Sequence, residues 1–195
     1  MTMKGSKLAL VLLFVGTLEI LLFTGSDAFC SSSRPSSPRW FNTWGKNFGA
    51  ICGNGYSILI WQSQHRYCQG DRIHFFHCKR GPFSPSYCSV SRNVNQYDRL
   101  LAFKCPNNGV ITAVGSNYNS ISHDRRFSFR CCYRPGYIAH TCRHTAFLNT
   151  WYQPLRFVVP SGYFLVGAFS EHQNLSRDRI WKFEICKFSR VVSSG

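Results

Sequence analysis

A chain of 195 residues with a net charge of +15, from 23 Lys and Arg against 8 Asp and Glu, is long enough for one domain with a substantial core. Its 10 cysteines are even in number and contain no Cys-x-x-Cys pair, which argues against zinc or dithiol redox chemistry and for five disulfides. Such a basic balance, carried outside the cell, points to polyanionic partners: sulfated glycosaminoglycans, acidic matrix proteins or anionic cell surfaces.

Residues 1–28 have the order of a secretory signal peptide. Lys4 and Lys7 form the basic start, an apolar stretch runs from Leu8 to Phe23, and Ser26-Asp27-Ala28 supplies small residues for cleavage. The apolar stretch is short for a membrane span and is interrupted by Glu19. The expectation is therefore a secreted chain of the extracellular space or matrix, without a membrane span. Residues 29–39, Ser- and Pro-rich, read as a flexible leader with little capacity to pack.

From residue 40 to 195 the chain reads as one β domain of three repeats. Three markers recur at one period: Gly55, Gly109 and Gly162; the pairs Asp71-Arg72, Asp124-Arg125 and Asp178-Arg179; and Asn42/Trp44, Asn95/Tyr97 and Asn149/Trp151, at spacings of 53 or 54 residues. Each Gly precedes an apolar stretch, followed by a polar loop and a strand headed by Asp-Arg, so each unit predicts a hairpin. Strict alternation is clear in Phe127, Phe129 and Cys131 against Arg126, Ser128 and Arg130, and again in Trp181, Phe183 and Ile185 against Lys182 and Glu184. No amphipathic helix is evident. Segments 79–93 and 133–147, carrying Pro, Gly and Cys, read as disulfide-tied excursions. The expected fold is all-β with pseudo-threefold symmetry, of β-prism or β-trefoil type.

A fourth pair, Asp98-Arg99, extends the pattern, and every Asp-Arg has a Phe five residues after the Asp: Phe76, Phe103, Phe129 and Phe183. Four of the six acids beyond residue 28 sit in these pairs. They are read as a recurring structural device in which Asp accepts loop N–H groups and Arg ties down a carbonyl or carboxylate of a neighbouring unit.

The motifs Asp124-Arg-Arg-Phe-Ser-Phe-Arg-Cys-Cys132, Asp178-Arg-Ile-Trp-Lys-Phe-Glu-Ile-Cys186, Gly162 to Ser170 and Cys105-Pro-Asn-Asn-Gly109 together resemble the dermatopontin family over about residues 40–188. That family includes secreted matrix proteins and invertebrate haemagglutinins. The resemblance implies an extracellular protein that binds proteoglycans, collagen and cell surfaces, or one that aggregates cells through carbohydrate. It also implies the bridges Cys52–Cys78, Cys88–Cys131, Cys105–Cys132 and Cys142–Cys186; Cys30 and Cys68, without family counterparts, are then expected to bond each other. The vertebrate members' acidic, sulfated tyrosines have no match here, since these tyrosines lack acidic neighbours.

The residues offer no catalytic constellation. Glycoside hydrolysis wants two flanking carboxylates, yet only Glu171 and Glu184 lie outside Asp-Arg pairs. There is no Gly-x-Ser-x-Gly turn, and the cysteines are spoken for. The reading is a binding protein, not an enzyme, with no cofactor and no metal; His140, Cys142 and His144 are read as a polar loop around a disulfide. Nucleic acid is not an expected partner, and oligomeric state is not encoded in any motif. Candidate glycosaminoglycan contacts are Arg126, Arg130, Arg134, Lys182 and Lys187. The alternative lectin site lies in the repeated loops, at His65, Tyr118 and His172. Asn174-Leu-Ser176 is an N-glycosylation sequon in the third loop.

Overall fold

In the computed structural model the described residues are 39–191, residue 85 excepted. The predicted signal peptide, nearly all of the leader, and Cys30 of the expected Cys30–Cys68 bridge lie outside them. The domain is all-β, as expected, and contains three long antiparallel hairpins. They are β2 (Tyr56–Arg66) with β3 (Asp71–Arg80), β6 (Val110–Asn119) with β7 (Asp124–Tyr133), and β10 (Phe164–Gln173) with β11 (Asp178–Arg190). The second strand of each begins at its Asp-Arg pair, as predicted, and each hairpin carries a register shift at the same repeat position: Ile58/Ile60, Ile111/Ala113 and Leu165/Gly167. Such bulges bend a strand and increase its twist, which helps a hairpin curve around a core.

A short strand precedes each hairpin, and each joins the sheet of another unit. β1 (Phe48–Ile51) pairs with β6, β5 (Leu101–Lys104) with β10, and β9 (Leu155–Val158) returns to β2. The exchange is cyclic. Two further strands, β4 (Tyr87–Ser91) and β8 (Tyr137–His144), arise within the Pro- and Cys-rich segments and flank β7 and β11. The result is three sheets: β1-β6-β7-β4, β5-β10-β11-β8 and β3-β2-β9.

The inward faces supply the core. Trp61, Trp181, Phe127, Phe129, Phe183 and Leu165 are fully buried, and Trp61 lies against Trp181 and Phe183 with ring centroids 5.0 Å apart in both pairs. Burying rings of this size contributes on the order of 2–3 kcal/mol each. Three of the four Phe residues that follow an Asp-Arg, Phe76, Phe129 and Phe183, belong to this core. Phe103 differs: it sits on the edge strand β5, half-buried, and stacks on Phe129 at 4.7 Å. The recurring Asn residues hold the strand heads. Asn42, Asn95 and Asn149 each accept the N–H of His74, Phe127 or Trp181 and donate to the carbonyl of Arg72, Arg125 or Arg179.

Two of the expected disulfides are present, Cys52–Cys78 and Cys142–Cys186. The other two exchange partners: Cys88 bonds Cys132, and Cys105 bonds Cys131. The cause is the alternation of a strand. Cys132 stands directly opposite Cys88 in the β4–β7 ladder, Cα atoms 4.1 Å apart. The adjacent Cys131 points to the other face, into the core where Cys105 waits at the end of β5.

Candidate functional site

The three Asp-Arg pairs close a ring at one end of the hairpins. Arg72 donates to both oxygens of Asp178 (2.5 and 2.9 Å), Arg125 to both of Asp71 (2.6 and 2.6 Å), and Arg179 to both of Asp124 (2.7 and 2.7 Å). All six side chains are almost wholly buried. Each Asp Oδ2 also accepts a backbone N–H from a loop 26 residues earlier, from Gly45, Asp98 and Tyr152. Each Arg Nη2 donates to a carbonyl of Gln153, Lys46 or Arg99. Bidentate geometry with further hydrogen bonds is what lets buried charge offset its desolvation. The fourth pair plays another part. Asp98 (φ 60°) lies in the loop before β5, lending its N–H to Asp124 while Arg99 lends its carbonyl.

Gly70, His123 and Arg177, each just before a ring Asp, meet over this end with φ of 55°, 48° and 49°. A Cβ on Gly70 would lie 2.9 Å from both the His123 ring and the Arg177 side chain, so only glycine fits where the three turns converge.

The residues proposed for loop recognition stand beside the same ring. His65, Tyr118 and His172 are the register partners of Arg72, Arg125 and Arg179. They are largely committed inward. His65 Nε2 is 3.2 Å from the Arg177 carbonyl, the Tyr118 hydroxyl is 3.1 Å from His123 Nδ1, and the His172 side chain is 1% exposed. Burial lowers the basicity of His65 and His172, and burial together with Asp71 raises the Tyr118 pKa. Asn174 of the sequon is exposed in the β10–β11 turn.

The candidate cationic residues fall on two sheets. Arg126 and Arg130 lie on β7, with Arg134 just beyond; Lys182 and Lys187 lie on β11. Most rest on aromatic rings: Arg126 on Tyr97 at 4.7 Å, Lys182 on Phe169 at 4.1 Å, Lys187 on Tyr163 at 5.3 Å. Arg134 is tied to the Ser84 carbonyl at 2.8 Å. Two cations unforeseen from sequence join Lys187 at Tyr163: Arg143 over its ring at 4.4 Å, and Lys79 donating to its carbonyl at 2.6 Å.

The structure adds an open trough across β5-β10-β11-β8, with a volume of about 470 Å³. Two cross-strand rows form it: Ala102, Phe169 and Lys182; then Lys104, Gly167, Glu184 and His144. Gly167 lacks the Cβ that would lie 2.9 Å from the Phe103 carbonyl and 3.2 Å from Glu184. Lys104 reaches Glu184 at 2.6 Å, and His144 Nε2 lies 3.7 Å from the same carboxyl. The trough thus has an aromatic wall, three basic groups and one paired acid. Only Lys182 was foreseen. Glu184 and Lys104 carry a weak signal, as an acid outside the Asp-Arg pairs and a Lys five residues after the atypical Arg99.

Metal ligation finds little support among the described residues. Cys142 and Cys186, near Glu184, are bonded to each other, and Asp124, near Asp98 and His172, is held by Arg179. No helix among them is long and apolar enough to cross a membrane.

Comparison with known proteins accords with this architecture. The dermatopontin family profile matches residues 42–190. The chain is 34% identical over 153 residues to the hemagglutinin/amebocyte aggregation factor of Limulus polyphemus, covering 77% of this chain and 88% of that protein. It is 30% identical over 148 residues to the dermatopontin of Biomphalaria glabrata, covering 76% and 99%, and 28% identical over 145 residues to Millepora cytotoxin-1 of Millepora dichotoma, covering 74% and 65%. No solved structure gives a significant match. The chain belongs to the dermatopontin family.

Proposed function

We propose that this protein is a secreted, non-enzymatic binder of acidic glycans in the extracellular matrix, and that the β5-β10-β11-β8 sheet is its binding face. The observation that carries the reading is the trough itself. Lys104, Lys182 and His144 surround Phe169 with one acid among them, and that acid is already paired. Sugar rings pack on aromatic faces, while sulfate or uronate groups seek ammonium and imidazole donors. Lys187 and Arg143, on strands β11 and β8 of the same sheet, extend the positive field beyond the trough. Proteoglycan docking of this kind would support cell adhesion or collagen-fibril organisation. The decisive experiment is retention on heparin or dermatan sulfate resin, compared with Lys104→Ala/Lys182→Ala. Retention unchanged in that variant removes the trough from the reading, and no retention of the wild type removes the polyanion ligand.

A second reading, a lectin that aggregates cells or microbes, is supported by the name of the Limulus relative and by the half-buried ring of Phe169 beside the exposed Phe147, centroids 6.2 Å apart. Inhibition of agglutination by neutral monosaccharides, and not by heparin, would favour it.

A further inference from the structure

The ion-pair ring encloses a set of donors that the ring itself does not satisfy. Arg72 uses its Nη1 on Ser63 Oγ at 3.0 Å and Arg179 turns its Nη1 to the Ser170 carbonyl at 3.5 Å, but Arg125 Nη1 is buried with no partner. Below the ring, the third residue after each Asp is His74, Phe127 or Trp181. Phe127 carries no donor, whereas Trp181 Nε1 and His74 Nε2 are buried and unpartnered. The His74 tautomer is set by Trp61, whose indole N–H donates to Nδ1 at 3.3 Å, leaving the hydrogen on Nε2. Burial, with Arg125 and Arg72 nearby, holds the His74 pKa well below its ordinary value, so this ring stays neutral. All three groups are therefore obligate donors, and all three residues line one cleft at the ring. The ring carboxylates are already engaged: Asp71 and Asp124 accept three hydrogen bonds each and Asp178 four. Arg177 beside the three balanced pairs leaves the cleft lining with an excess of one positive charge, its histidines counted neutral.

Buried donors of this kind rarely go unsatisfied. His172 lines the same cleft with both ring nitrogens unpartnered and can present one of them as a further donor; an occupant that meets these donors and gains from a positive field is a small monovalent anion. We propose that the Asp-Arg ring holds a halide ion, of which chloride is the abundant extracellular one, bound by Arg125 Nη1, His74 Nε2 and Trp181 Nε1. The site is separate from the trough and independent of the glycan reading.

The test uses the full secreted chain at constant ionic strength, with chloride or bromide replacing gluconate, an anion too large for the cleft. Binding to the native state alone raises the melting midpoint along a saturating curve, by about 2–5 °C at ten times the dissociation constant. His74→Phe, which installs the residue of the second repeat, and Trp181→Phe should each abolish the halide dependence. Crystals in bromide should show an anomalous peak within hydrogen-bond distance of the three donors. A midpoint identical in all salts, a dependence that survives both variants, or water and no bromide at that position each overturns the proposal. If neither variant folds, the bromide crystal decides alone.

Discussion

Arg125 binds Asp71 across 54 residues of sequence, through two hydrogen bonds of 2.6 Å, and so joins the second hairpin to the first. The same grip at Arg179–Asp124 and Arg72–Asp178 makes the three hairpins hold one another head to tail. Removing one member strands a buried charge, which costs about 3–5 kcal/mol. Asp178→Asn and Arg179→Lys are therefore expected to lower the melting temperature strongly or to prevent folding, and Asp124→Asn to behave alike. Calorimetry of the purified variants checks this; wild-type melting with lost glycan binding would assign these residues to a ligand site instead.

The disulfide pattern is open to direct mapping. Peptides from the unreduced protein should contain Cys88 with Cys132 and Cys105 with Cys131. Replacing both Cys105 and Cys131 by Ser should cost about 2–4 kcal/mol, chiefly by freeing the unfolded chain. Recovery of Cys88 linked to Cys131 would contradict the strand register.

The two cationic faces make different predictions on heparin. Lys182→Ala/Lys187→Ala, on β11, should elute at markedly lower salt, while Arg126→Ala/Arg130→Ala, on β7, should shift little. Wild-type retention itself should fall steeply between about 50 and 200 mM salt, by analogy with counterion release from nucleic acids. The opposite ranking of the variants would move the binding face to the β1-β6-β7-β4 sheet.

Mild acid should weaken this fold through its buried imidazoles. His74, His65 and His172 have folded pKa values below the ordinary imidazole value of 6.5, burial being the leading cause in each. The unfolded chain therefore takes up protons near pH 6.5 that the native state refuses, so stability is complete above that pH and declines as pH falls. The melting temperature should drop between about pH 7 and 5.5, and less so in His74→Phe. A flat profile over that window would mean these imidazoles charge freely in the native protein.

Much of this architecture was legible in the sequence because repetition marks it more than once. Asn, Gly and Asp-Arg recur at one period; the Asn and the Asp-Arg each have one job in every hairpin, whereas the Gly does not, since Gly55 and Gly162 take φ of 75° and 76° and Gly109 is not left-handed. The same period could have corrected the cysteine assignment. Shifting Cys52–Cys78 by 53 residues lands on Cys105–Cys131, and shifting Cys88–Cys132 by 54 lands on Cys142–Cys186. Asp98-Arg99 misled for the converse reason: its local pattern is right but it falls outside the period, and its backbone serves the ring while its side chains do not close it. The strand exchange and the trough were beyond reach, since Lys104, Gly167, Glu184 and His144 become neighbours only through pairing of β5, β10, β11 and β8. Nothing local in those residues records it.

The cyclic exchange of short strands has a consequence for biosynthesis. The first hairpin receives β9 from the third unit, and Arg72 finds Asp178 only 106 residues later. A chain emerging from its N-terminal end therefore holds a buried-type arginine without its carboxylate, and an uncovered sheet edge, until nearly the whole domain has been made. Such long-range closure folds slowly. Chains truncated before residue 155 would expose that edge permanently, which is the kind of surface that cellular quality control retains.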